Sequence, residues 1–163
     1  MDWTQSGLLD CGFTGFRVVC AWQDWIATVP SSAGVYVVLC TASLEPSFLA
    51  ASSGGRFKGR DPTVAVERLE REWIEGVEVL YVGKADLLRR RIEQLLKFSE
   101  GEPVGHWGGR FLWQLEGHKD FEIAWITTPD ERPVDAEAKL LTEFRDEFGQ
   151  LPYANIQGPQ RQR

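Results

Sequence analysis

The stretch Tyr81–Ile92, YVGKADLLRRRI, constrains this chain more than any other. It ends an apolar run, VEVLYVG, that reads as a strand. It turns through Gly83-Lys84-Ala85-Asp86 and continues as an amphipathic helix, LLRRRIEQLLKF. One short stretch thus offers a phenol, a glycine turn, a lysine and a run of arginines. Guanidinium and ammonium groups match phosphate in charge and geometry, so these parts suit a phosphodiester. The stretch lacks a metal-binding carboxylate and a second proton-transfer group.

The helical wheel separates the arginines. At about 100° per residue, Leu88, Ile92, Leu95 and Leu96 share the apolar face of a helix over 87–98. Arg90 points directly away from that face. Arg91 lies on its border and aims toward the body of the protein, so it is the arginine expected inside a cleft. Arg89 flanks the opposite border.

Two further strands are expected. GVYVVLC, 34–40, is apolar on both faces and reads as central, with Val35, Val37 and Leu39 on one face and Tyr36, Val38 and Cys40 on the other. FEIAWITT, 121–128, is the other. In the strand 77–83, alternation puts Val77, Val79, Tyr81 and Gly83 on one face. Residues 1–33 form a lead-in that covers an edge or face of the sheet, with FRVVCAW reading as a strand within it. Residues 41–62 read as a long Ser/Gly/Pro-rich loop whose RFKGR is either a solvated surface or a phosphate-contacting loop. Residues 63–75 read as a helix capped by Thr63 and stopped by Gly76. The last helix runs over about 134–148 and stops at Gly149, followed by a polar tail, GPQRQR, expected to fray. The expected fold is one α+β domain over 1–163, with a small three-stranded antiparallel sheet flanked by helices. An N-terminal extension precedes its core (34–157), and a loop-plus-helix insertion (41–76) separates the first two core strands.

Bulk properties narrow the class. A chain of 163 residues, 43% hydrophobic, can bury a proper core. No run approaches the roughly 18 apolar residues of a membrane span. MDWTQSGLLDCG lacks the basic and apolar regions of a signal peptide, so a cytoplasmic location and no membrane partner are expected. The three cysteines, Cys11, Cys20 and Cys40, form no CxxC pair and read as small core residues. The net charge of −6 excludes a generally basic nucleic-acid-binding surface but leaves room for a local basic cleft.

The missing groups have candidates elsewhere. The last helix carries an apolar stripe of Leu140, Leu141, Phe144 and Phe148, and Glu137 falls in its middle. A carboxylate there needs a partner, which is either an arginine or lysine in a structural salt bridge or a metal ion. GHWGGR, 105–110, gathers His106, Trp107 and Arg110 around glycines. It reads either as a packed aromatic corner or as polar side chains facing one space.

Taken together, these residues resemble the GIY-YIG nuclease superfamily. The naming tripeptides appear as Gly34-Val35-Tyr36 and Tyr81-Val82-Gly83, and YVGKADLLRRRI is similar to the matching stretch of the UvrC excision-repair nuclease. Arg91 takes the place of the family arginine, Lys84 that of the lysine after the second glycine, and EAKLLTEF puts the metal-binding glutamate at Glu137. Pro152 and Asn155 match the terminal Pro and Asn. The resemblance implies a metal-dependent endonuclease that hydrolyses a phosphodiester bond of DNA in repair, restriction or defence, using a single Mg2+ (or Mn2+) ion. Tyr36 is then the candidate general base or water-positioning group with Tyr81 beside it, and nearby cations such as Lys84 would have to favour phenolate character. Arg91 stabilises transition-state charge, and Glu137 holds the metal. Gly83, Lys84, Arg89, Arg110 and Asn155 contact substrate or support the site.

Two departures from the family pattern stand out. Residues 37–80 replace a short hairpin between the two tripeptides. Leu95 stands one helical turn after Arg91, where many members carry a His or Tyr, which leaves His106 to supply that ring from the next loop. No separate DNA-binding domain is visible, so target choice is expected from a partner protein or a homodimer. The alternatives are a nucleic-acid-binding module of the same fold with weakened catalysis, favoured by Leu95 and the acidic balance, and a protein-interaction domain using the Trp-rich surface.

Overall fold

The structure, a computed structural model, describes residues 1–42 and 45–156; the polar tail and position 157 lie outside them. Among the described residues, strands β1 (Thr14–Val18), β2 (Gly34–Leu39), β3 (Val79–Ala85) and β4 (Glu122–Thr127) form one antiparallel sheet in the order β1-β4-β2-β3. β2 is central and every one of its residues is buried, as its two-sided apolar run requires. The fold is α+β, but the sheet has four strands where three were expected. The lead-in does cover an edge, and it does so by pairing β1 with β4. The strand expected over FRVVCAW, 16–22, is shifted: β1 is short, largely exposed and broken by a register shift between Gly15 and Arg17, and residues 19–25 turn into 3-10 and α-helical stretches instead.

Helices cover both faces of the sheet. They are α1 (Gln5–Asp10), α2 (Trp22–Trp25), α3 (Val66–Glu72), α4 (Leu88–Ser99) and α5 (Pro133–Phe148). On one face Tyr36, Val38, Leu80 and Tyr81 pack against Leu88, Ile92, Leu95 and Leu96 of α4 and against Phe111–Trp113. On the other, Val35, Val37, Leu39, Val79 and Val82 pack against Leu8 of α1 and Ala136 and Phe144 of α5. The four α4 residues are fully buried, each contributing about 1.5–3 kcal/mol relative to exposure. None of the described helices is long and apolar enough to cross a membrane.

One irregularity separates Val79 from the second tyrosine. Tyr36 pairs with Gly83 and Val38 with Tyr81, but Leu39 pairs with Val79, one residue out of step. This bulge turns Val79 onto the α5 face and leaves Tyr81 and Gly83 on the face of Tyr36. Simple alternation, which gave Val79 and Tyr81 a common face, is corrected here.

The insertion also differs in detail. α3 is shorter than 63–75, and its N-cap is Ala65 with no side-chain cap. The Thr63 hydroxyl instead accepts from the Ser52 amide at 3.0 Å. The helix ends at Trp73, before Gly76. Segments of the insertion are stitched to the 3-10 stretch Trp107–Gln114, whose buried Gln114 donates to the carbonyls of Leu49 and Val64 and accepts from the Val64 amide. Of the cysteines, only Cys40 is a core residue; Cys11 and Cys20 are exposed.

Candidate active site

Tyr36 lies fully buried at the centre of the sheet because its cross-strand neighbour has no side chain. A Cβ on Gly83 would stand 2.4 Å from Tyr36 Cζ, so only glycine lets the ring lie across β3. The two tripeptides therefore share one packing unit, and Gly83 serves Tyr36 directly. The Tyr36 hydroxyl is 2.7 Å from Nε2 of His106, which is also fully buried. His106 reaches this place from the loop before Trp107–Gln114. A Cβ on Gly109 would meet both the His106 ring at 3.2 Å and Leu95 Cδ1 at 3.5 Å, so the imidazole sits beside the residue one turn after Arg91. Nδ1 of His106 has no hydrogen-bond partner.

Tyr81 completes an aromatic triangle. Its ring centroid is 6.0 Å from that of Tyr36 and 5.9 Å from that of His106. The Arg91 guanidinium closes the group, donating to the Gly105 carbonyl at 2.6 Å and to Gln94 Oε1 at 3.2 Å. It thereby ties α4 to the loop that presents His106. Electrostatics inside this group is governed by burial. Desolvation holds the Tyr36 phenol well above its ordinary pKa, the neighbouring Tyr81 adds to the rise, and Arg91 opposes it. Burial likewise raises Tyr81, with Arg91 lowering it and the Glu137 carboxylate raising it. Burial lowers His106 to about 3, and Arg91 pushes the same way. At rest the site therefore holds two neutral phenols and a neutral imidazole beside one guanidinium. The expected phenolate character is absent from this resting arrangement, because desolvation outweighs the nearby cations.

Glu137, on the first turns of α5, has 18% of its side chain exposed and accepts from Lys84 Nζ at 3.0 Å. Of the two partners expected for this carboxylate, the structure supplies the lysine. Lys84 is consequently drawn toward Glu137, at the end of β3.

Lys84, Arg91 and Gln94 of this group border a cleft of about 680 Å³ between the β3–α4 turn and the start of α5. Lys84, Arg90, Arg91 and Arg132 line it, with Asp86 the one acid among its lining residues. The protein as a whole carries −6, so the cleft is a concentrated basic exception. Arg90, which the wheel directed outward, lines the cleft beside Arg91, since α5 adds an outer wall that a wheel does not contain. Arg132 and Gln94 escaped sequence reasoning as well. Arg132 stands at the N-cap of α5, clamped on Asp135 at 2.8 and 2.9 Å. Its only sequence signal is its place just before that helix.

Three other candidates sit elsewhere. Arg89 donates to the Val29 carbonyl at 2.8 Å and secures the loop before β2. Asn155 accepts from the Val82 amide at 2.9 Å and donates to the Val82 carbonyl at 2.8 Å, acting as a side-chain strand partner along the outer edge of β3. Arg110 is stacked 4.7 Å from the Trp107 ring, near the site but outside the cleft lining.

Among the described residues, no group of three or more His, Cys, Asp or Glu side chains could hold a metal ion. Glu137 is a hard oxygen donor, part-exposed and bonded to Lys84 of the cleft lining. Magnesium binds commonly through one or two carboxylates plus water and substrate phosphate, so this donor set fits such an ion in the presence of a phosphate. Comparison with known protein families, curated proteins and solved structures finds no match to this chain.

Proposed function

We propose that this chain is a metal-dependent nuclease of the GIY-YIG type that hydrolyses a phosphodiester bond of DNA. The observation that carries the reading is the gathering of residues from four separate segments on one face of the sheet, with Glu137 of α5 reaching the same strand end from the other face. Tyr36 comes from β2, Tyr81 from β3, Arg91 from α4, His106 from the following loop and Glu137 from α5. A structural core does not ordinarily collect two phenols, an imidazole and a guanidinium beside a carboxylate and a basic cleft.

In this reading the cleft cations bind the backbone phosphate, and Arg91 offers N–H donors to the charge that develops on it. Glu137 would hold magnesium or manganese, which supplies charge neutralisation at the phosphate and the leaving oxygen. Lys84 then exchanges Glu137 for phosphate. The attacking water gives its proton to the Tyr36 oxygen as the phenol proton passes to Nε2 of His106. Tyr36 is unchanged by that relay and His106 gains the proton. A relay of this kind needs a neutral imidazole and does not need a stable phenolate, which is the protonation pattern that burial imposes.

The test is magnesium-dependent cleavage of plasmid and oligonucleotide DNA by wild type, Glu137→Gln and His106→Ala. Cleavage by wild type and its loss in Glu137→Gln are expected. Undiminished cleavage by Glu137→Gln would sink the assignment, and undiminished cleavage by His106→Ala would remove the relay alone. The Lys84–Glu137 pair and the fully buried Leu95 favour a second reading, a binding module without turnover. Salt-dependent DNA binding by wild type with no cleavage in magnesium or manganese selects it.

A further inference from the structure

A second group of cations lies beyond the cleft, where the insertion meets the Trp107–Gln114 stretch. Arg110 is stacked 4.7 Å from the Trp107 ring and 5.4 Å from the Phe111 ring, and Arg68 of α3 lies 5.1 Å from the same Phe111 ring. Burial first, then the charges of Arg68 and Arg60, lower Arg110 to about 10. Arg68 and Arg110 share the Phe111 ring, and Arg60 is bridged to Phe57, whose ring would lie 3.5 Å from a Cβ on Gly105, so all three guanidiniums border the same stretch. None of them is in an ion pair among the described residues, although Glu67 and Glu70 flank Arg68 on α3. In a protein of net charge −6, three neighbouring guanidiniums outside any ion pair make a local positive surface suited to an external anion. Aromatic faces hold guanidiniums flat while leaving edge N–H groups for bidentate acceptors, an arrangement suited to phosphate.

The cluster adjoins the candidate active site. Gly105 bonds Arg91, a Cβ on Gly108 would lie 3.7 Å from the Tyr81 hydroxyl, and Arg110 follows two residues later. The backbone from Gly105 to Arg110 spans at most roughly 17 Å. A nucleic-acid strand advances about 3.4 Å per phosphate, so that span covers at most about five nucleotides.

We propose that Arg60, Arg68 and Arg110 form a second phosphate-contact surface, which holds the nucleic-acid strand a few nucleotides from the bond at the tyrosine site. The proposal rests on the nuclease reading and gives the insertion its purpose. The long connection between β2 and β3 brings Arg60 and Arg68 beside Arg110, and Gln114 pins it there.

The experiment is anisotropy of a labelled 20-nucleotide DNA, single-stranded and duplex, in EDTA across a potassium chloride series. Wild type is compared with Arg60→Gln, Arg68→Gln and the Arg60→Gln/Arg68→Gln double variant, each checked for fold by circular dichroism. The slope of log affinity against log salt is expected to fall by about 0.7–0.9 for each cation removed. Arg60 is exposed and unstacked, so Arg60→Gln keeps the test valid if Arg68→Gln disturbs Phe111. Salt-dependent binding by wild type with an unchanged slope in folded Arg60→Gln and in the double variant overturns the second surface and leaves the nuclease reading standing. Weaker binding at every salt with the same slope marks a structural role and overturns it too. Absence of DNA binding by wild type at low salt removes both.

Discussion

Acidification tests the buried imidazole directly. His106 is fully buried, and desolvation lowers it from 6.5 to about 3. Its folded value is depressed, so the unfolded chain takes up the proton first. Stability from this group is therefore complete above 6.5 and is lost as pH falls between 6.5 and about 3. At pH 5.0 about 97% of unfolded imidazoles carry a proton and about 1% of folded ones do, a difference of about 2 kcal/mol relative to pH 7.5. The magnitude is set by the unfolded side, because the folded imidazole is neutral at pH 5.0 throughout. Other groups also respond to acid. Asp61 and Asp135, both lowered in the fold, lose their contributions in the same direction, as does His118, which burial lowers. His106→Gln removes the imidazole term and leaves the rest. In urea titrations at pH 7.5 and 5.0, wild type is expected to lose about 2 kcal/mol more than His106→Gln. That corresponds to an extra midpoint shift of about 1 M urea for a chain of this size. Equal losses in the two proteins would refute the assignment of a buried neutral imidazole.

Other outcomes follow from the same geometry. Gly83→Ala forces a methyl toward Tyr36 Cζ at 2.4 Å and is expected to cost about 1–3 kcal/mol in thermal or urea unfolding; an unchanged midpoint would contradict the shared packing of the two tripeptides. Asn155→Ala removes both hydrogen bonds to Val82 and is expected to cost about 1–3 kcal/mol by the same measurement, with increased amide exchange at Val82. Glu137→Gln breaks an ion pair whose lysine is 46% exposed, so its stability is expected to stay within about 1 kcal/mol of wild type, whatever happens to cleavage. Under the relay, the pH profile of kcat/KM, which reports the free enzyme, shows no inflection near 6.5, since His106 is neutral well below that value; such an inflection would assign the rate to a different group.

Much of the core was legible because its periods are regular. The two-sided apolar run of 34–40 announced a central strand, and the wheel of 87–98 gave Leu88, Ile92, Leu95 and Leu96 of the buried face of α4, to which the structure adds Phe98 and Ser99. What stayed hidden was what depends on pairing. FRVVCAW was legible as a strand, but its bounds and its place in the sheet were not, because β1 is held by backbone bonds to β4 with few buried side chains and its apolar residues beyond Val18 turn into helix. The bulge opposite Leu39 is a single slip of register, invisible to alternation, yet it turns Val79 to the face opposite Tyr81. Arg90 and Arg132 became cleft residues only because α4 and α5 stand on two sides of the same space, a relation between distant segments.

The ionisation of the site was the least legible feature, and it bears most on chemistry. A lysine two residues from Val82 and arginines one turn on suggested phenols drawn toward phenolate. Packing reversed that balance. Tyr36 lies under α4 with its hydroxyl on His106, while Lys84 turns outward to Glu137. Charge and phenol are thereby kept on different sides of the same strand end. The cations are left to meet an incoming phosphate, and the buried phenol–imidazole pair is left to move a proton without holding a charge. Arg91 is the one group that touches both halves. It lowers the tyrosines and the imidazole alike, and it lines the cleft. A phosphate bound at Arg91 would offset its charge and so relax the depression of His106, making the imidazole a better proton acceptor when substrate is present.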